Sequence, residues 1–307
     1  MQRSKENVFV QNAKIDSVSS KKKLALVCCS NGLPMQAQQQ VCQLTECLRE
    51  MDIEPVLSPY LYATDSVEAG TACQRAETLM GYYRDPEITD ICDISGGDIT
   101  NEILPYLDYK TIATSDKMFW GYSDLTTIIN AIYAKTGKTS VLYQVRNLVR
   151  EDRENQRRNF MDHLQKQDFG SVSLFDFDYQ WIQGAPKRGE DLQGIVVGGN
   201  IRCLLKLAGT PYWPDMADKI LLLEARSGGV AQMITYLSQL QQMGVFGQIR
   251  GILLGTFTQM EKEQVVPDII ELVRRFAGDR MPMVKTDWIG HGTDSKAVVI
   301  GKEIILK

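Results

Sequence analysis

Ser123 sits in FWGYSDLTTIINAIYAKTG (residues 119–137), where a glycine-bearing apolar strand runs straight into a helical pattern. Leu125, Ile128, Ile129, Ile132 and Tyr133 recur at helical spacing, and Gly137 follows as a C-terminal cap. A sharp strand-to-helix turn pushes one hydroxyl out over a sheet edge and aims backbone N–H groups at whatever it attacks. The plainer role for Ser123 is helix N-cap, which serine favours. G-x-S-D also lacks the second glycine of G-x-S-x-G, so this is not the α/β-hydrolase signature.

A serine nucleophile needs a base, and the chain holds two histidines. His163, in NFMDHLQKQ, falls on a polar helix and is expected at the solvent. His291, in WIGHGTDS, has glycines on both sides that let the backbone bend and leave the imidazole accessible. It is the better candidate, although an inert loop histidine would look the same. Three carboxylates compete to orient it. Glu224 ends KILLLE, an apolar run typical of a central parallel strand, and ligands gather at the carboxyl ends of such strands. A salt bridge to Arg226 would employ Glu224 equally well. Asp287 and Asp294 lie closer to His291 along the chain. Gly96–Gly97 closes another apolar run and can offer an unobstructed N–H to an oxyanion, or simply form a tight turn. VVGGN (196–200) can cradle an anion at the helix that follows Asn200, but it has no dinucleotide or nucleoside-triphosphate signature.

The elements that must hold these residues alternate. Apolar runs at 23–29, 53–60, 88–95 and 117–123 are separated by helical patterns, which indicates a parallel sheet covered by helices. A charged and then turn-rich stretch from about 150 to 194 precedes a second set: GIVVGG, KILLLEA, GILLGTF and MPMVKT, again with helices between. AVVI-GK-EIIL at the end of the chain reads as a hairpin around Gly301–Lys302.

Composition narrows the class. A hydrophobic fraction of 44% with 23% charged residues is ordinary for a globular protein. A net charge of −4 gives no support to a nucleic-acid partner. No apolar run approaches a membrane span, and residues 1–21 lack the apolar core of a signal peptide. The seven cysteines, an odd number with no C-x-x-C pair, are expected to be reduced core residues of a cytoplasmic protein. No dense ligand cluster suggests a metal, and no cofactor is expected.

SGGDITNEILPYLDY, FWGYSDLTTIINAIYAKTG, GGNIRCLLKLAGTPYWPD, KILLLEA and IGHGTDSKAVVIG occur in that order. From about residue 22 to the C-terminus the chain resembles the LD-carboxypeptidase family of serine peptidases, which includes muramoyltetrapeptide carboxypeptidases and microcin C immunity peptidases. The resemblance implies a Ser123–His291–Glu224 triad, choosing Glu224 over Asp287, with the backbone amides of Gly97 and Asp124 as oxyanion donors. It implies a flavodoxin-like N-terminal domain with a parallel sheet, a smaller C-terminal α/β domain, an active site between them, and a homodimer. The expected boundaries are a lead-in at 1–21, the nucleophile domain at 22–168, a linker at 169–193, and the Glu- and His-bearing domain at 194–307.

The resemblance also implies a substrate: cytosolic muropeptide tetrapeptides losing a terminal D-alanine after diaminopimelate or lysine. Two departures bear on that. Many members carry an arginine where this chain has Ser95, and many carry His-Gly-Pro where it reads YQVRN (143–147). Arg146 and Arg202 are candidates to pair with a substrate carboxylate, and Asn200 is a third candidate on the substrate side. One alternative is a detoxifying peptidase that cleaves peptidyl nucleotides, with Trp181, Trp213 or Trp288 stacking on the base. Another is a binding protein that keeps the scaffold without catalysis.

Overall fold

The structure, a computed structural model, describes residues 22–166, 174–184 and 191–307. The expected lead-in and parts of the expected linker lie outside the described residues. The four apolar runs form strands β1 (Lys22–Val27), β2 (Ile53–Leu57), β3 (Ile88–Asp93) and β4 (Met118–Gly121), and a strand not expected from the sequence, β5 (Ser140–Leu142), comes next. They are followed by β6 (Gln180–Gln183), β7 (Leu192–Asn200), β8 (Lys219–Ala225), β9 (Gly251–Phe257), β10 (Met283–Lys285), β11 (Val298–Ile300) and β12 (Glu303–Leu306).

Two six-stranded sheets result, ordered β11-β5-β4-β3-β1-β2 and β12-β7-β8-β9-β10-β6. β1 to β5 pair in parallel, as do β7 to β10. Antiparallel strands close three edges: β11 on β5, β12 on β7 and β6 on β10. β8 is buried along all but its first residue, as a continuous apolar run between covering helices requires. The stretch expected as a linker therefore contributes β6 to the second sheet.

The expected C-terminal hairpin does not form. β11 and β12 are consecutive, yet one joins the first sheet and the other the second. Alternating hydrophobicity shows that a strand has a buried face; it does not name the partner. Gly301 makes the crossing with φ +87, and a Cβ there would lie 2.6 Å from the Tyr133 ring, so the turn is packed directly on the helix that follows Ser123.

That helix, Thr126–Thr136, is buried from Thr126 through Ile132, polar residues included. Its apolar side fills the first core, as the spacing predicts. Its polar side, which an amphipathic reading would turn toward water, is bonded to the end of β7. Asn200 N–H donates to Thr126 Oγ1 (3.0 Å), Asn130 Nδ2 donates to Gly198 O (2.9 Å), and Gly198 N–H donates to Asn130 Oδ1 (2.8 Å). Thr127 Oγ1 donates to Cys203 O at 2.9 Å. Buried polar groups must find partners, and here they find them across the seam between the sheets.

His163 is a correction. It lies on the helix Arg153–Lys166 as expected, but it is only 6% exposed, packed edge-on against Trp120 and Phe175. The polar composition of its helix concealed one inward face. Of the seven cysteines, all free, five are buried while Cys42 and Cys73 are exposed.

Burial, with Lys22 nearby, lowers the His163 pKa from its ordinary 6.5 to about 4. The unfolded chain then takes up a proton that the folded chain refuses, so stability falls as pH drops from 6.5 toward about 4 and levels off below. A loss of about 2–3 kcal/mol is expected over that window. Denaturant unfolding at stepped pH checks it: His163→Phe should flatten the decline, and an unchanged slope in that variant would remove His163 as its source.

Candidate active site

β4 ends on Gly121, and Ser123 takes φ +57, a left-handed conformation that a non-glycine residue adopts at a cost of about 1–2 kcal/mol. The 3-10 turn Ser123–Leu125 then leads into the buried helix. Ser123 does not cap that helix with its side chain, so the N-cap role is not the one it plays. The turn is held from below by Asp124, whose carboxylate is fully buried. It accepts from Ser30 Oγ (2.6 Å) and Thr100 N–H (3.0 Å), and it pairs with the Lys206 ammonium.

The carboxyl end of β8 delivers Glu224, also fully buried. Its Oε2 lies 2.8 Å from His291 Nδ1. Arg226 is not its partner. Asp287 is exposed and pairs with Lys285 at 3.0 Å, and Asp294 is exposed, so neither competing carboxylate takes the imidazole. A carboxylate on Nδ1–H leaves the Nε2 lone pair to act as base. Nε2 is buried with no hydrogen-bond partner among the described residues.

The loop bearing His291 is seated by close backbone approach. Thr256 N–H donates to Ile289 O at 2.7 Å, and a Cβ at Gly255 would fall 2.3 Å from that oxygen. Only glycine allows β9 and the loop to meet so closely.

Tyr122 is the residue that sequence reasoning missed. It is buried immediately before Ser123, donates from its hydroxyl to Glu224 Oε2 (3.2 Å), and meets His291 Nδ1 at 3.3 Å. Its ring stands edge-on to the imidazole with centroids 4.7 Å apart. Burial, then the adjacent Glu224 charge, raises its pKa well above the ordinary 10, so it stays a donor. The available signal was alternation: a side chain next to an outward serine must point the other way, into the seam.

Gly97, Ser123, Asn200 and Arg202 share the wall of one cavity of about 170 Å³, together with Arg226 and Tyr236. Gly97 has φ +136, and a Cβ there would lie 2.2 Å from Asn31 Oδ1. Gly96 is adjacent too: a Cβ on it would sit 4.0 Å from the Ser123 Cβ. Asn200 caps the helix Ile201–Leu205 through Cys203 N–H (3.4 Å). Arg202 is engaged with Asp98 and donates to Gly97 O at 2.9 Å, so it braces the glycine turn. Arg146 is half-buried at the end of β5 and does not line that wall. None of the three tryptophans proposed as base platforms lines it; Tyr236 is the aromatic residue there.

A two-sheet α/β fold in which a strained serine directly follows Tyr122, itself joined to a buried carboxylate–imidazole pair, is a scaffold suited to hydrolysis. The family descriptions "LD-carboxypeptidase N-terminal domain" and "LD-carboxypeptidase C-terminal domain" match residues 24–143 and 193–306, and the chain belongs to the LD-carboxypeptidase family of peptidases. It is 27% identical over 273 residues to a Bacillus subtilis protein named "Probable murein peptide carboxypeptidase", covering 83% of this chain and 80% of that one. It is 28% identical over 218 residues to the Escherichia coli microcin C7 self-immunity protein MccF, covering 62% of this chain and 63% of that one. In fold it matches the muramoyltetrapeptide carboxypeptidase of Oxalobacter formigenes with a TM-score of 0.76 at 21% identity, over 92% of this chain and 94% of that one.

Removing the Tyr122 hydroxyl takes one donor from a buried carboxylate. Tyr122→Phe is expected to lower kcat by about tenfold with KM and folding preserved, the scale of one hydrogen bond to a charged group. Steady-state kinetics with a thermal melt would read this; an unchanged kcat would mean the hydroxyl does not position the pair.

Proposed function

We propose that this peptidase is a serine carboxypeptidase that releases terminal D-alanine from muropeptide tetrapeptides in the cytoplasm, by a Ser123–His291–Glu224 acyl-enzyme route. The observation that carries the chemistry is the 2.8 Å Glu224–His291 contact, to both members of which Tyr122, the residue before Ser123, is joined. The likeness to a named murein peptide carboxypeptidase supports the substrate class.

In this reading His291 Nε2 removes the Ser123 proton as Oγ attacks the carbonyl carbon of the L,D-peptide bond. The amides of Gly97 and Asp124 hold the oxyanion, each worth about 3 kcal/mol in such sites. Glu224 stabilises the imidazolium, which then protonates the leaving D-alanine amine. Water, activated by the same imidazole, attacks the ester and restores Ser123. The protein acts as a homodimer in this reading, which light scattering would test.

Mass-spectrometric detection of D-alanine from purified tetrapeptides tests the proposal. Release by the native protein, reduced by about 10⁴-fold or more in Ser123→Ala, is the expected result. Cleavage of peptidyl-nucleotide analogues with intact tetrapeptides would instead assign the protein to detoxification.

A further inference from the structure

Two cations from one short helix grip both turns that flank Ser123. The helix Ile201–Leu205 starts where β7 ends, and Arg202 and Lys206 stand four residues apart on it, which puts them on one face. Arg202 donates to Gly97 O at 2.9 Å and pairs with the Asp98 carboxylate. Lys206 donates to Asp98 O at 2.6 Å and pairs with the Asp124 carboxylate. Consecutive carbonyls of the glycine turn and the carboxylate of the serine turn are thus held from the second half of the chain. The helix is itself anchored: Thr127 Oγ1 donates to Cys203 O at 2.9 Å, and Asn200 caps its first turn.

The glycine turn needs such a hold. Gly97 lies at φ +136, a region that glycine enters freely and leaves as freely. Within the first half the turn is tied through its N–H groups: Asp98 N–H donates to Asn31 Oδ1 (2.9 Å), and Thr100 N–H donates to Asp124 (3.0 Å). Its carbonyls at 97 and 98 are engaged from the second half. Gly97, Asp98, Arg202 and Ser123 line the same cavity, so any slack in this turn is felt at the serine.

Charge makes a second demand. Asp124 is fully buried, and its carboxylate belongs to the residue whose N–H faces the oxyanion in the reading above. An unanswered negative charge there opposes the charge that develops in the transition state, and the opposition is strong in a low-dielectric interior. Lys206, its side chain only 17% exposed, answers that charge with little screening by water. An ammonium is a compact charge with three donors, so it can serve a carboxylate and a carbonyl together.

We propose that Lys206 is a positioning residue for the oxyanion site. It sets the spacing of the Gly97 and Asp124 amides by tying their two turns to one helix, and it cancels the charge that would work against them. This rests on the acyl-enzyme reading above and extends it: chemistry on a serine of the first half depends on a lysine of the second half that does not line the cavity.

Three readouts separate positioning from support: steady-state kinetics on tetrapeptides, the rate at which a small fluorophosphonate labels Ser123, and calorimetric tetrapeptide binding in the Ser123→Ala background. Lys206→Met should lower kcat and the labelling rate together, each by about 10²-fold, the scale of one oxyanion donor. KM and the calorimetric affinity should stay within about twofold of the parent. The single substitution leaves the Asp124 charge unanswered, so Lys206→Met is also placed in an Asp124→Asn background, with thermal melts on every variant. There it should slow kcat and labelling by about tenfold relative to Asp124→Asn alone. A lowered melting temperature with parental kcat and labelling in Lys206→Met would overturn the proposal, as would a loss confined to KM. Equal rates with and without Lys206→Met in the Asp124→Asn background would overturn it too. If native protein releases no D-alanine while Ser123 labelling still depends on Lys206, the positioning role stands and the tetrapeptide reading falls. If native protein releases D-alanine and Lys206→Met does so at the parental kcat, the reading stands and the positioning role falls.

Discussion

A buried carboxylate directly after Ser123 is the constraint on which this architecture turns. Asp124 has no access to water, so its charge must be answered by protein groups. The answers come from three places: the segment after β1 through Ser30, the loop after β3 through Thr100, and the second half of the chain through Lys206. One side chain thereby fixes the strained turn that presents Ser123 and joins the two halves at that point. Loss of Lys206 would leave an uncompensated buried charge, and loss of the Ser30 or Thr100 donor an unmet acceptor.

The buried helix behind the turn extends the same logic. Its apolar face belongs to the first core, while Thr126, Thr127 and Asn130 satisfy the backbone of β7 and of the helix that follows it. Glycines at 198 and 199 permit the approach; a Cβ at Gly199 would lie 2.7 Å from Thr126 Oγ1. β11 then carries the C-terminal segment back to the first sheet, and β12 returns to the second. The seam between the sheets is therefore stitched by backbone, buried polar side chains and two ion pairs, Lys206–Asp124 and Arg202–Asp98, which suits a site that needs fixed geometry rather than closure.

Much of this was legible in the residues. Apolar runs and helical spacing marked β1 to β4 and β7 to β10, because burial of one face or both leaves a periodic trace. Gly-Tyr-Ser-Asp between strand and helix marked the turn, and flanking glycines marked the loop that carries His291. Pairing was not legible: Glu224, Asp287 and Asp294 remained open on the residues alone, and the bond to Nδ1 joins positions 67 residues apart. Nor could local pattern show that His163 faces inward, that β11 and β12 part company, or that Tyr122 reaches both Glu224 and His291. The sequence by itself determined which segments form strands and helices and which side chains can do chemistry, since those follow from local sterics and periodicity. Only the tertiary structure decided which of those groups meet, since that depends on long-range packing to which no stretch of neighbouring residues is sensitive.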